Sequence, residues 1–225
     1  MTAALDPALQ RDLDALAVPG LLIGHRVIAP GDENALRGEE AASLVPRAPA
    51  ARRASGAARI VARELLARLG HPDAPVPKGA GGEPIWPAGV VGSLAHDDEV
   101  AVAAIGLQHD FGSIGIDVEP ARDLPAEMLD LVAMPTELSQ IGGDLRKARL
   151  LFAAKEAVYK AAYRFDQAFL EFPDIEVDLD ARTAVTNNGR TVLLRTCVSS
   201  RIVALALIRA DQAQSRQDDQ STPIR

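Results

Sequence analysis

Ser113-Ile114-Gly115-Ile116-Asp117-Val118-Glu119 is the stretch on which the fold turns. Side chains of a β-strand alternate between its faces. Ile114, Ile116 and Val118 therefore share one face, and Gly115, Asp117 and Glu119 share the other. The apolar face calls for a core on its side. The other face sets two carboxylates two residues apart, where they repel each other. A hard divalent cation removes that repulsion, because Mg²⁺ prefers carboxylate and phosphate oxygens. Gly115 would leave room for a ligand to approach the backbone. The competing reading of the same spacing is an edge strand with one solvated face.

Downstream, residues 146–165 form the longest predicted helix. Leu151, Ala154, Val158, Ala161 and Phe165 make a core stripe at helical spacing. A second stripe, Phe152, Glu156, Tyr159 and Tyr163, places an acid among aromatic rings. If that side is covered, Glu156 needs a metal or a cation. Lys160, one turn on, is a candidate partner. An ordinary surface Glu–Lys pair explains the spacing equally well.

Upstream, strands are predicted over 21–28, 90–96 and 100–107, and a helix over 52–69. The 100–107 run is continuously apolar, as a central buried strand would be. Residues 71–90 read as a Pro/Gly-rich loop that holds Trp86 as an anchor. Beyond the long helix, strands are predicted over 175–179, 191–196 and 201–208. The chain divides into residues 1–110 and 111–210, with 211–225 expected to be disordered. The mixed order of elements implies an α+β fold of two packed halves.

Other polar residues have both a chemical and a plain reading. His96 ends a strand before Asp97-Asp98-Glu99; it would contact a phosphate or carboxylate, or simply bond its acidic neighbours. Arg47, Arg52, Arg53 and Arg59 cluster upstream, with Arg52 and Arg59 seven residues apart on one helical face. Guanidinium groups suit phosphates, although solvation of an amphipathic helix needs no ligand.

Composition narrows the class. The 225-residue chain has 48% hydrophobic residues and a net charge of −7, which argues against a general nucleic-acid binder. A single cysteine, Cys197, allows no internal disulfide and no paired-cysteine zinc site. No signal peptide or membrane-spanning run is visible, so a cytoplasmic location is expected. Walker A, GxGxxG and GxSxG motifs are absent from the sequence.

Taken in order along the chain, these segments resemble the 4′-phosphopantetheinyl transferases. Arg52 and Arg59 stand where that family has an arginine-bearing helix. Residues 82–96 resemble its proline–tryptophan segment running into a Gly-Ser-x-Ser-His motif. Residues 115–119 resemble its Gly-Ile-Asp-x-Glu motif, and residues 152–161 its Lys-Glu-x-x-x-Lys helix. The Trp86-Pro87 pair is most similar to the enterobactin-synthetase-type branch.

The resemblance implies two similar α/β subdomains related by a pseudo-twofold, with coenzyme A between them. It implies a monomer that moves phosphopantetheine to a serine of an acyl or peptidyl carrier protein, in siderophore or other secondary-metabolite synthesis, releasing 3′,5′-ADP. Asp117, Glu119 and Glu156 would hold Mg²⁺, with Glu156 as ligand, general base or both. Lys155, Lys160, His96 and Ser93 would meet the phosphates, and Arg52 and Arg59 would join them in binding coenzyme A. The broken region 122–145 would form the carrier-docking loop through Leu124, Met128, Leu131 and Met134.

The sequence departs from the pattern at Ala95, where a serine is usual and a hydroxyl contact to coenzyme A would be lost. That leaves open a coenzyme A- or carrier-binding protein without turnover, or another Mg²⁺-dependent phosphoryl transferase. Ala153, Glu83 and residues 54–56 also depart from the pattern.

Overall fold

The computed structural model describes residues 5–44 and 48–211. The expectations for Arg47 and for the tail after 211 lie outside them. The order is α1 (Pro7–Leu16), β1 (Leu22–Val27), a 3-10 turn (Asp32–Ala35), α2 (Gly38–Ser43), α3 (Pro49–Arg68), β2 (Val90–His96), β3 (Val100–Leu107) and β4 (Phe111–Pro120). It continues through α4 (Leu129–Val132), α5 (Pro135–Ile141), α6 (Leu145–Asp166), β5 (Ile175–Asp178), β6 (Thr183–Thr186), β7 (Thr191–Val198) and β8 (Arg201–Arg209).

β1, β3 and β2 form an antiparallel sheet with β3 at its centre. β3 is apolar throughout because both its faces are covered. Ala103 and Ile105 pack under Val61, Leu65 and Leu66 of α3. Val102 and Ala104 turn the other way, toward Ile114, Ile116 and Val118 of β4 and Val203, Leu205 and Leu207 of β8. The two halves thus share one core. The second sheet runs β4-β8-β7-β6-β5, antiparallel throughout. Its far face carries Ile202, Ala204, Ala206 and Ile208 under Ala154, Ala157, Val158 and Ala161 of α6.

β4 therefore has the phase that its sequence indicated, with one face in the shared core and the other against α6. Gly115 permits the second contact: an added Cβ would lie 1.9 Å from the Ala157 carbonyl oxygen. The room expected there for a ligand is filled by the helix backbone. Close seating of α6 on β4 at Gly115 brings Asp117 and Glu119 alongside the turns that carry Glu156 and Lys160.

The halves are alike in plan, each a long helix on an antiparallel sheet, but they differ in size, three strands against five. Two elements were not anticipated. α1 begins at Asp6, whose carboxylate accepts from the Ala8 and Leu9 amides, and it buries Leu9, Leu13 and Leu16. That spacing is helical, and the interleaved acids obscured it. β6 is four residues long, too short to show a period. Leu124 is buried in the core of the larger half, whereas Leu131 is 59% exposed, so only the second is free to meet another molecule. Among the described residues, no helix is long and apolar enough to cross a membrane.

Candidate active site

Asp117 is only 7% exposed. Its Oδ1 accepts from Lys160 Nζ at 2.6 Å, and the same ammonium donates to the Ile116 carbonyl at 3.1 Å. Lys160 thus pairs across to β4 and not along its own helix to Glu156. Asp117 Oδ2 is buried with no hydrogen-bond partner. Glu119 accepts from Arg149 Nη1 at 2.5 Å, and Arg149 is anchored by two bonds to the Asp123 carbonyl. The carboxylate of Glu156 has no hydrogen bond or ion pair among the described residues.

Burial raises the pKa of all three acids above the ordinary carboxylate range. For Asp117, Lys160 opposes the rise. For Glu119, the charge of Asp117 adds to it, and Arg149 opposes it. For Glu156, Lys160 opposes it, and both Asp117 and Glu119 add to it. β4 is an edge strand of its sheet, as the plainer reading had it, but its polar face is covered by α6 and not solvated, and Lys160 pairs with Asp117 and not with Glu156.

The arrangement fits a hard divalent cation in its donors: three carboxylates, an orphaned buried oxygen at Asp117 and an unbonded carboxylate at Glu156. As they stand, no three acidic or histidine side chains among the described residues converge on a point where they would hold a metal. Lys160 and Arg149 occupy the oxygens that would have to turn.

Lys160 also lines a cleft of about 410 Å³. Lys78, the glycines at 81 and 82, Trp86 and Ser93 wall it from the first half, and Ser113, Tyr159, Lys160, Tyr163 and Arg164 from the second. Trp86 is the expected anchor: its Nε1 donates to the Gly92 carbonyl at 3.0 Å, and its ring packs against the α3 core. Gly81 admits the Tyr163 hydroxyl, which an added Cβ would meet at 1.6 Å. A smaller hollow of about 140 Å³, lined by Ser55, Arg59, Lys78 and His96 among others, adjoins the cleft at Lys78, Gly82, Pro84 and Leu94. Its three basic side chains make it the electropositive end of the site. His96 is close enough for its charge to favour ionised Asp117.

Ser93 and Lys160 line the larger cavity and His96 and Arg59 the smaller one, whereas Asp117, Glu119 and Glu156 line neither and meet the cleft through the bond from Lys160 to Asp117. Arg59 is 5% exposed and spends bonds on the Val76 and Ser55 carbonyls. Arg52, two turns earlier, lines neither cavity.

Lys155 departs from the expectation. It is fully buried against Glu137, Nζ to Oε2 2.6 Å, and it donates to the Phe172 carbonyl. Burial lowers its pKa, and Glu137 opposes the fall. Position 155 on α6 faces the interior of the larger half, so the phosphate-neutralising charge expected of Lys155 is absent from the cleft. Ala95 is another correction. It packs in the shared core with Val91 and Val102, so a serine there would be buried and not offered to a ligand. Sequence reasoning missed Lys78 and Arg149. Lys78 sits alone between Pro77 and Gly79, where no periodicity marks it, and the link from Arg149 to Glu119 spans 30 residues.

The molecule is an α+β protein with acids on a strand–helix contact, a cleft walled by two halves and an adjoining hollow lined by basic side chains. Residues 39–106 match the model of the 4′-phosphopantetheinyl transferase N-terminal domain, and residues 113–208 that of the 4′-phosphopantetheinyl transferase superfamily. The chain is 40% identical over 164 residues to the 4′-phosphopantetheinyl transferase Svp of Streptomyces mobaraensis, covering 69% of this chain and 67% of that one. It is 42% identical over 135 residues to Npt of Nocardia iowensis, covering 59% and 61%. With PptT of Mycobacterium tuberculosis it shares 39% over 146 residues, covering 63% and 64%. The chain belongs to the 4′-phosphopantetheinyl transferase superfamily. The matches span about two thirds or less of the length of these relatives.

Proposed function

We propose that this chain transfers 4′-phosphopantetheine from coenzyme A to a serine of an acyl or peptidyl carrier protein and releases 3′,5′-ADP. The observation that carries this reading is the meeting of Asp117 and Glu119 on β4 with Glu156 and Lys160 on α6, where Lys160 also lines a cleft that adjoins a hollow with basic side chains. A cluster of acids alone would repel phosphates. Acids that hold a divalent ion, beside Lys78, Arg59 and His96, attract them.

Asp117, Glu119 and Glu156 would hold Mg²⁺. When bound, the ion supplies neutralisation of the pyrophosphate charge. Lys78, Arg59 and His96 would seat the remaining phosphate, and the larger cleft takes the pantetheine or adenosine portion. In the transfer, the serine oxygen loses its proton and forms a bond to the β-phosphorus as the bond to the bridging oxygen breaks. Glu156 is the best acceptor of that proton, directly or through water. It alone of the three acids has no hydrogen-bonded cation, which leaves its oxygens free to take the proton. The Lys160 ammonium, already fixed by two acceptors, stabilises the charge that grows on the leaving oxygen. Exposed Leu131 on α4 offers an apolar contact to the carrier.

The Trp86-Pro87 segment supports placement in the enterobactin-type branch, and a cytoplasmic monomer suits the reaction. The test is incubation with coenzyme A, Mg²⁺ and a panel of apo carrier proteins, read by the mass gain of the carrier. Gain on at least one carrier is expected. Coenzyme A binding with no gain on any carrier would overturn turnover in favour of a binding protein.

A further inference from the structure

Lys155 is a buried charge that the chemistry above does not use. Its side chain is 0% exposed and that of Glu137 is 1% exposed. Lys155 Nζ lies 2.6 Å from Glu137 Oε2 and donates to the Phe172 carbonyl at 3.0 Å. Glu137 is itself fully engaged. Its Oε2 accepts from the Met134 amide and its Oε1 from the Val177 amide, each at 2.8 Å. One carboxylate therefore joins the start of α5, the edge strand β5 and the middle of α6.

The placement bears on the neighbouring residue. Successive residues of a helix are about 100° apart around its axis. With Lys155 held inside the larger half, Glu156 is turned toward the acids of β4. Helix α6 is anchored to β4 at Gly115 on one side and to α5 and β5 through Lys155 on another, so it has little freedom to rotate. The same ammonium also holds the end of the loop that carries Phe169. That ring packs edge-on against Tyr159 at 5.7 Å, and Tyr159 lines the cleft. A buried ion pair seldom stabilises a fold more than an apolar pair of equal size. Its gain here is in geometry.

We propose that Lys155 is a positioning residue: its clamp on Glu137 and the Phe172 carbonyl sets the rotation of α6 that aims Glu156 at Asp117 and Glu119, and it makes no contact with coenzyme A. The catalytic part of this inference rests on the transferase reading.

Two variants test it, Lys155→Met and the charge-neutral double Lys155→Met/Glu137→Gln. Four quantities are measured: coenzyme A affinity by calorimetry, Mn²⁺ affinity by electron paramagnetic resonance without coenzyme A, kcat for carrier modification, and melting temperature. In both variants coenzyme A affinity stays at the wild-type level, Mn²⁺ affinity falls, and kcat falls about 10- to 100-fold, the scale of a misplacement near 1 Å. The melting temperature falls in the single variant and recovers in part in the double, which no longer buries an unpaired carboxylate but offers one acceptor oxygen to the two amides of Met134 and Val177. Should Lys155→Met fail to fold, the double variant carries the test. Recovery of kcat and Mn²⁺ affinity together with the melting temperature would show a role in stability alone and overturn the proposal. Weakened coenzyme A binding in both variants would restore Lys155 as a phosphate ligand and also overturn it. A wild type that binds no coenzyme A would sink the functional reading, while the Mn²⁺ measurement would still decide the positioning role.

Discussion

Replacing Glu156 with glutamine keeps the shape of the side chain and removes a negative charge that is partly desolvated, unbonded and repelled by Asp117 and Glu119. The folded state raises its pKa, so the folded protein holds this proton more tightly than the unfolded chain. Stability linked to the group is present below the ordinary value of 4.5 and is lost as pH rises from there through the raised folded value. Glu156→Gln has no such loss. Relief of strain at a functional site typically adds about 0.5–2 kcal/mol, and each kcal/mol moves the midpoint about 2–4 °C in a chain of this size. Metal-free Glu156→Gln should therefore melt about 1–8 °C above wild type at neutral pH, and the two should converge in acid. Transfer should fall about 10²–10⁴-fold, the usual scale for loss of a general base. Thermal melts across pH, with a chelator present, read the first effect, and the carrier mass gain reads the second. A variant less stable than wild type at neutral pH, or a difference that does not shrink in acid, would refute the electrostatic account of the site.

Asp117→Ala removes the orphaned oxygen and the partner of Lys160, so carrier modification should drop at least about 100-fold; full activity would remove the metal assignment. Lys78→Ala takes a cation from the junction of the two cavities and should weaken coenzyme A binding by about 1.5–3 kcal/mol, roughly 10- to 100-fold, by calorimetry. Gly115→Ala forces a methyl group to within 1.9 Å of a helix carbonyl. It should cost about 1–3 kcal/mol in denaturant unfolding and lower transfer as α6 is displaced.

Much of this molecule was legible from periodicity. The alternation at 113–119 predicted which face of β4 lies in a core, and the structure puts Ile114, Ile116 and Val118 in the core shared by both halves. The apolar run of β3 predicted a strand covered on both sides. The aromatic stripe of α6 left open whether its face is covered, and in the structure Phe152 and Tyr159 are met by Phe172 and Phe169. Local geometry put Asp117 and Glu119 on one strand face but left open whether that face and Glu156 meet, which the seating of α6 on β4 decides.

Pairing was not legible. Lys155 and Lys160 stand five residues apart in one motif, yet one is locked to Glu137 inside the larger half and the other reaches Asp117 at the cleft. Lys78 becomes part of the site only because the loop bearing it crosses between the halves. The sequence by itself determined most of the elements and the apolar faces they bury, since these follow from side-chain order along one strand or helix. Tertiary structure alone decided which cation Asp117, Glu119 and Glu137 receive, because each partner is brought in from a distant part of the chain by the packing of α6 on β4 and α5.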